Sequence, residues 1–168
     1  MLQKWFGKEA SKLTKTETII APISGDLIPI EKVPDPTFSE KLIGEGVAIK
    51  PNEGEVVSPI DGEVIQLFPT KHAIALRGNS GVELLIHIGL GTVNLNGESF
   101  HSFVTQGQKV SVGDKLLSFN LNLINQKVQS SLTPTIITNY SIVDTLEIAD
   151  RKEVKGGETE IMQIHINQ

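Results

Sequence analysis

Two histidines fifteen positions apart, His72 and His87, are the residues of this chain best placed to do chemistry. They stand in Pro-Thr-Lys-His72-Ala-Ile-Ala-Leu and Val-Glu-Leu-Leu-Ile-His87-Ile-Gly, two runs of β-formers joined through Gly78-Asn79-Ser80-Gly81, a turn signal. A two-residue turn at Asn79 and Ser80 sets His72 directly opposite His87 on one face of a hairpin, with Cβ atoms about 4.5–5.5 Å apart. A slip of one residue would send them to opposite faces. That face also carries Ile74, Leu76, Leu85 and, at the turn end, Glu83. Aliphatic neighbours desolvate an imidazole and favour its neutral form, whose bare nitrogen is a nucleophile. A second imidazole beside it can donate a hydrogen bond. The pair therefore suits phosphoryl transfer, one ring accepting the group and the other steadying charge on its oxygens. Thr70, two residues before His72, can orient the ring or meet the phosphoryl group. Ile-Gly89-Leu-Gly91-Thr92 follows, glycine-rich enough for backbone N–H groups to approach an oxyanion. Paired histidines also bind zinc, but zinc wants three or four ligands and no third is evident nearby. His101 and His165 lack a comparable setting and read as surface or otherwise satisfied residues.

The elements that must hold this pair are strands. From Thr18 onward the chain is short β-forming runs broken by turn signals, with little sustained helical period. Ile-Ile-Ala-Pro22-Ile-Ser-Gly25-Asp-Leu-Ile recurs 37 positions later as Val-Val-Ser-Pro59-Ile-Asp-Gly62-Glu-Val-Ile, each copy a strand, a Pro-x-x-Gly turn and a strand. Gly107-Gln-Lys-Val110-Ser-Val-Gly113-Asp114 suggests a further turn between strands. The pattern predicts an all-β fold, an antiparallel sandwich or closed barrel. The exceptions are Pro36–Gly46, where a helical turn before the glycines would align Phe38, Leu42 and Ile43, and Leu121–Val128, a second brief helix.

At 168 residues, 39% hydrophobic and 21% charged, the chain has the size and composition of one soluble domain. A formal charge of −5 argues against nucleic acid. The lack of cysteine excludes disulfides, thiolate zinc and cysteine nucleophiles, and suits a reducing cytosol. No apolar run approaches the roughly 20 residues of a membrane span. Residues 1–18 form a separate basic tail ahead of a single domain over 19–168. There Leu2, Trp5, Phe6 and Leu13 fall near a helical stripe, with Lys4, Lys8, Lys12 and Lys15 around it. Two readings of this tail stand side by side: a peripheral contact with an anionic membrane surface, or a solvated segment. The expected location is the cytoplasm, extending to its membrane face if the first reading holds.

Pro-Thr-Lys-His72-Ala-Ile and Ser-Gly-Val-Glu-Leu-Leu-Ile-His87-Ile-Gly resemble the glucose-specific IIA component of the bacterial phosphoenolpyruvate:sugar phosphotransferase system. The likeness runs from about Ile19 to Ile164 and includes Ala-Pro-Ile-Ser-Gly, Val-Pro-Asp-Pro-Thr-Phe, Gly-Glu-Gly and Gly-Gln-Lys-Val-x-Val-Gly-Asp. It implies an antiparallel β-sandwich of the duplicated hybrid type. It also implies a phosphoryl carrier that takes phosphate from phospho-HPr and gives it to a cysteine of a IIB domain. By position His87 would accept the phosphoryl group through Nε2, His72 would stabilise it, and Thr70 would hydrogen-bond nearby. The implied docking surface is Asp35, Phe38, Leu42, Ile43, Phe68, Leu85 and Val93. No cofactor is required, although a zinc ion shared between His72, His87 and a partner's carboxylate is a further implication. Gly91 stands where family members usually carry Asp, and Thr37 where they usually carry an apolar residue.

Other functions compete. The same apolar ring, unphosphorylated, would serve a regulatory protein that binds permeases or kinases. A zinc peptidase of related fold would need a His-x-His pair, which is absent. A lipoyl or biotinyl carrier would need a lysine on its tight hairpin, and Pro-Ile-Asp-Gly has none.

Overall fold

A computed structural model of the chain describes residues 15–167. Most of the tail, including Leu2, Trp5, Phe6 and Leu13, lies outside them. Residues 15–18 were assigned above to that tail, but they open the first strand instead, β1 (Lys15–Ile20), which pairs with β14 (Glu160–Ile166). Thr16, Thr18 and Ile19 are β-formers, and the register against β14 outweighs Lys15, which makes this stretch look continuous with the basic segment.

Every strand pairing is antiparallel. One sheet of eight strands runs in the order β13 (Glu153–Val154), β2 (Gly25–Pro29), β3 (Glu45–Pro51), β11 (Thr133–Ile137), β7 (Glu83–His87), β6 (Ala73–Gly78), β5 (Gly62–Leu67) and β9 (Lys109–Val110). Two sheets of three strands complete the sandwich: β1–β14–β12 (Val143–Ile148), and β4 (Glu55–Val57) with β10 (Lys115–Phe119) and β8 (Phe100–Ser102). The main core collects the inward residues of all three sheets, among them Ile19, Val47, Val56, Ile74, Leu76, Leu84, Ile86, Leu116 and Ile161. No helix among the described residues is long and apolar enough to cross a membrane.

The sequence repeat is a structural one. Ile20 N donates to Pro59 O at 3.0 Å and Val57 N donates to Pro22 O at 2.8 Å, so the two Pro-x-x-Gly turns interlock. Gly25 then pairs with Val154 and Gly62 with Val110, at equivalent places in the two halves. Gly62 has to be glycine: a Cβ there would lie 2.0 Å from the Arg77 carbonyl oxygen.

The two brief helices form where expected. Pro36–Ser39 is capped by Asp35, whose carboxylate accepts from Thr37 N at 3.0 Å, with Pro36 at the first helical position. Leu121–Lys127 is capped by Asn120, which accepts from Leu123 N. The first helix lays Phe38 into a second, smaller cluster of Ile30, Val33, Ala48, Leu90 and Ile136. Ile136 pairs with Leu85, so this cluster lies on the sheet face that bears His87, opposite the main core.

Candidate phosphoryl-transfer site

The β6–β7 hairpin exists, but its register is one residue from the expected one. Ala73, not His72, faces His87, and Arg77 faces Glu83. The cause is the loop: Gly78 N donates to Val82 O and Gly81 N to Gly78 O, leaving three residues, Asn79, Ser80 and Gly81, between the strands. Gly81 takes the left-handed conformation such a loop needs, at φ +97°. Ile74 and Leu76 consequently point into the main core with Leu84 and Ile86, away from His87, while Leu85 and Glu83 share its face. Arg77 and Glu83 confirm that face with an ion pair at 2.8 Å.

The two imidazoles nevertheless meet. Their ring centroids are 5.0 Å apart and the planes are nearly perpendicular, at 80°. Strict alternation does not bind His72, because β6 begins one residue later; His72 ends the connection from β5, in which Phe68 N donates to Ala73 O. This connection brings the Thr70 hydroxyl into hydrogen-bond contact with His72 Nδ1. Phe68 stands edge-on to His72 at 5.6 Å between centroids, and Phe38 is tilted against His87 at 5.2 Å.

His87 Nδ1 donates to Gly89 O at 2.8 Å. The glycine-rich stretch therefore serves this ring with a carbonyl, where the sequence suggested N–H donors for an oxyanion. The bond places the proton on Nδ1 and leaves Nε2 with its lone pair. Thr92, fully buried, braces the same turn by donating to Ile88 O. Burial holds both imidazoles below the usual histidine range. That of His72, 6% exposed, falls to about 4, chiefly through desolvation and secondarily through its histidine neighbour. That of His87 is also lowered by desolvation, opposed by the Gly89 carbonyl and by the charge of Asp35.

The residues proposed for docking divide by depth. Leu42 is 69% and Val93 49% exposed. Ile43, Phe68, Leu85 and Asp35 are half-buried. Phe38, expected at the surface, is only 3% exposed, because it fills the second cluster beneath His87. It contacts the phosphoacceptor candidate instead of rimming it. His101 is exposed against Phe103, and His165 sits between Thr16 and Glu147, so neither joins the site.

As metal ligands, His72 and His87 offer two nitrogens. Among the described residues no group of three or more His, Cys, Asp or Glu could hold an ion, which falls short of a closed zinc site.

The model of the phosphoenolpyruvate-dependent sugar phosphotransferase system EIIA 1 family matches residues 17–143. The chain belongs to this family. It is 47% identical to the PTS system glucose-specific EIIA component of Bacillus cereus, over 98% of each chain. It is likewise 47% identical to the protein of that name in Staphylococcus aureus, over 99% of this chain and all of the other. Among solved structures, glucose permease IIA from Mycoplasma capricolum superposes with a TM-score of 0.83 at 42% identity, covering 88% of this chain and 96% of that one. This EIIA protein is thus a phosphoryl carrier of the sugar phosphotransferase system, a transferase-class component working between HPr and a IIB domain.

Proposed function

We propose that His87 carries the phosphoryl group on Nε2 and that the sugar served is glucose. The observation that carries the first part is the Nδ1–H bond to Gly89 O, which leaves Nε2 as the nucleophile beside a second imidazole. The Nε2 lone pair attacks the phosphorus of phospho-HPr, the phosphorus–nitrogen bond to HPr breaks, and that bonding pair returns to the HPr histidine. In the second step a IIB cysteine thiolate attacks the same phosphorus and the pair returns to His87. With Thr70 donating to Nδ1, His72 keeps its proton on Nε2 and gives it as a hydrogen bond to a phosphoryl oxygen. A neutral His72 does this without placing a second positive charge in a desolvated site. Glucose rests on the names of the relatives.

The test is incubation with Enzyme I, HPr and phosphoenolpyruvate. An acid-labile, HPr-dependent phosphate on His87 supports the reading, and a His87→Ala variant that labels equally well refutes it. Uptake of glucose analogues in a strain carrying only this EIIA tests the sugar.

A second use of the same face, binding a regulated permease or kinase while unphosphorylated, would draw on the exposed Leu42 and Val93. His87→Ala, unable to accept phosphate, should still capture such a target. A zinc ion shared by His72, His87 and that target's carboxylate would strengthen the complex, and chelation would then weaken it. The tail, cut back to residues 1–14 because Lys15–Thr18 belong to β1, would add weak contact with an anionic membrane; its removal should lower activity only with a membrane-embedded partner.

A further inference from the structure

Lys71 has a left-handed backbone, at φ +57°, one residue before His72. Three other described residues besides glycine share that region, Lys41, Asn96 and Ser99, and none of them adjoins a histidine. Side chains with a Cβ enter it at a cost that is smallest for Asn and absent for Gly, and a β-branched residue there is a true outlier. Such conformations persist where the surroundings over-determine them, and they gather at functional sites.

Here the surroundings are visible. Phe68 to His72, with Pro69 second, form the five-residue connection between β5 and β6; Lys71 N donates to Phe68 O at 2.7 Å, and Phe68 N donates to Ala73 O at 3.2 Å. The turn at Lys71 lets two residues so close in sequence, Thr70 and His72, meet through their side chains. It also delivers the His72 ring to His87 despite the one-residue register offset that would otherwise part them. The Lys71 ammonium makes no hydrogen bond or ion pair among the described residues.

We propose that Lys71 is a positioning residue, its left-handed backbone and not its charge holding His72 in the orientation used for onward transfer. This rests on the two-histidine reading above. The experiment measures single-turnover phosphoryl transfer from the phosphorylated EIIA to a purified glucose-type IIB domain. The variants are Lys71→Gly, Lys71→Asn, Lys71→Ala and Lys71→Val, each also made in a His72→Gln background, with ¹⁵N spectra of the His72 ring alongside. Gly and Asn should transfer within about twofold of the parent and keep its His72 nitrogen shifts. Val should be slower by about tenfold with shifted His72 nitrogens, and Ala, which like the parent Lys carries an unbranched Cβ, should stay near the parent. In the His72→Gln background all four should be equal, since the residue they position is gone. Parental transfer by Val overturns the proposal, as does Gly as slow as Val, which would make the ammonium the active part. Equal slowing by Val with and without His72 overturns it too. If His72→Gln alone transfers normally, the two-histidine reading fails, and Lys71 falls with it.

Discussion

Replacing His72 with glutamine should make this protein markedly less sensitive to acid. The folded His72 imidazole binds its proton only near pH 4, against 6.5 for the unperturbed group, because the ring is buried beside His87 and Phe68. Between those values the unfolded chain takes up a proton that the native chain refuses. Stability from this residue is therefore complete above about pH 7 and drains away as the pH falls toward 4. Each tenfold difference in proton binding is worth about 1.4 kcal/mol, so passing from about pH 7.5 to about pH 5 costs the parent roughly 2 kcal/mol through His72 alone. The lowered His87 contributes in the same sense, but it is present in both proteins and cancels to first order. Urea unfolding at the two pH values, read by circular dichroism, gives the comparison. The parent should lose roughly 2 kcal/mol more than His72→Gln over the interval. Equal losses, or a His72 resonance titrating near 6.5, would refute the argument that burial keeps this imidazole neutral in the working protein.

Thr70→Val should leave acceptance from HPr intact and slow onward transfer by about tenfold, since a buried His72 Nδ1 loses its partner at a cost of roughly 1–3 kcal/mol; rapid-quench transfer to IIB measures it. Gly91→Asp should fold normally and lower the KM for phospho-HPr several-fold: a Cβ at this left-handed, exposed position meets nothing within 4 Å, and Asp tolerates the conformation. An unchanged KM would show that a carboxylate at this position adds nothing to HPr docking. Thr135→Val should raise stability by about 1 kcal/mol in urea titration, because the Thr135 hydroxyl is buried in the main core without a hydrogen-bond partner. Gly46→Ala should cost roughly 3 kcal/mol, since its Cβ would fall 2.0 Å from the Thr135 carbonyl oxygen in a central strand pair.

The pairing of His72 with His87 was legible because β-forming runs flank a Gly-Asn-Ser-Gly turn, and those cues are local. The register was not: two-residue and three-residue loops spend the same four letters, and only the Gly78–Val82 closure tells them apart. Chemistry survived the error because His72 lies outside the regular strand, where alternation no longer dictates direction. The Pro-x-x-Gly duplication could be seen in the letters, but that its two copies exchange hydrogen bonds with each other could not, since nothing local links Ile20 to Pro59. Phe38 shows the opposite limit. An apolar residue on a short capped helix can face solvent or core, and the choice was made by Ile136 and Leu90, nearly 100 and about 50 positions away.

The pairing of Lys15 with Ile166 has a consequence for how the polypeptide is made. β1 leaves the ribosome some 140 residues before its hydrogen-bond partner is synthesised, so its apolar side has no native cover while that stretch is made. Closing so long a loop is slow relative to local contacts, which places completion of the β1–β14–β12 sheet after β14 has emerged and leaves β1 exposed to non-native contacts until then. Stalled chains ending before Glu160 should then be digested by protease within β1, while chains that extend past Ile166 and have cleared the ribosome resist.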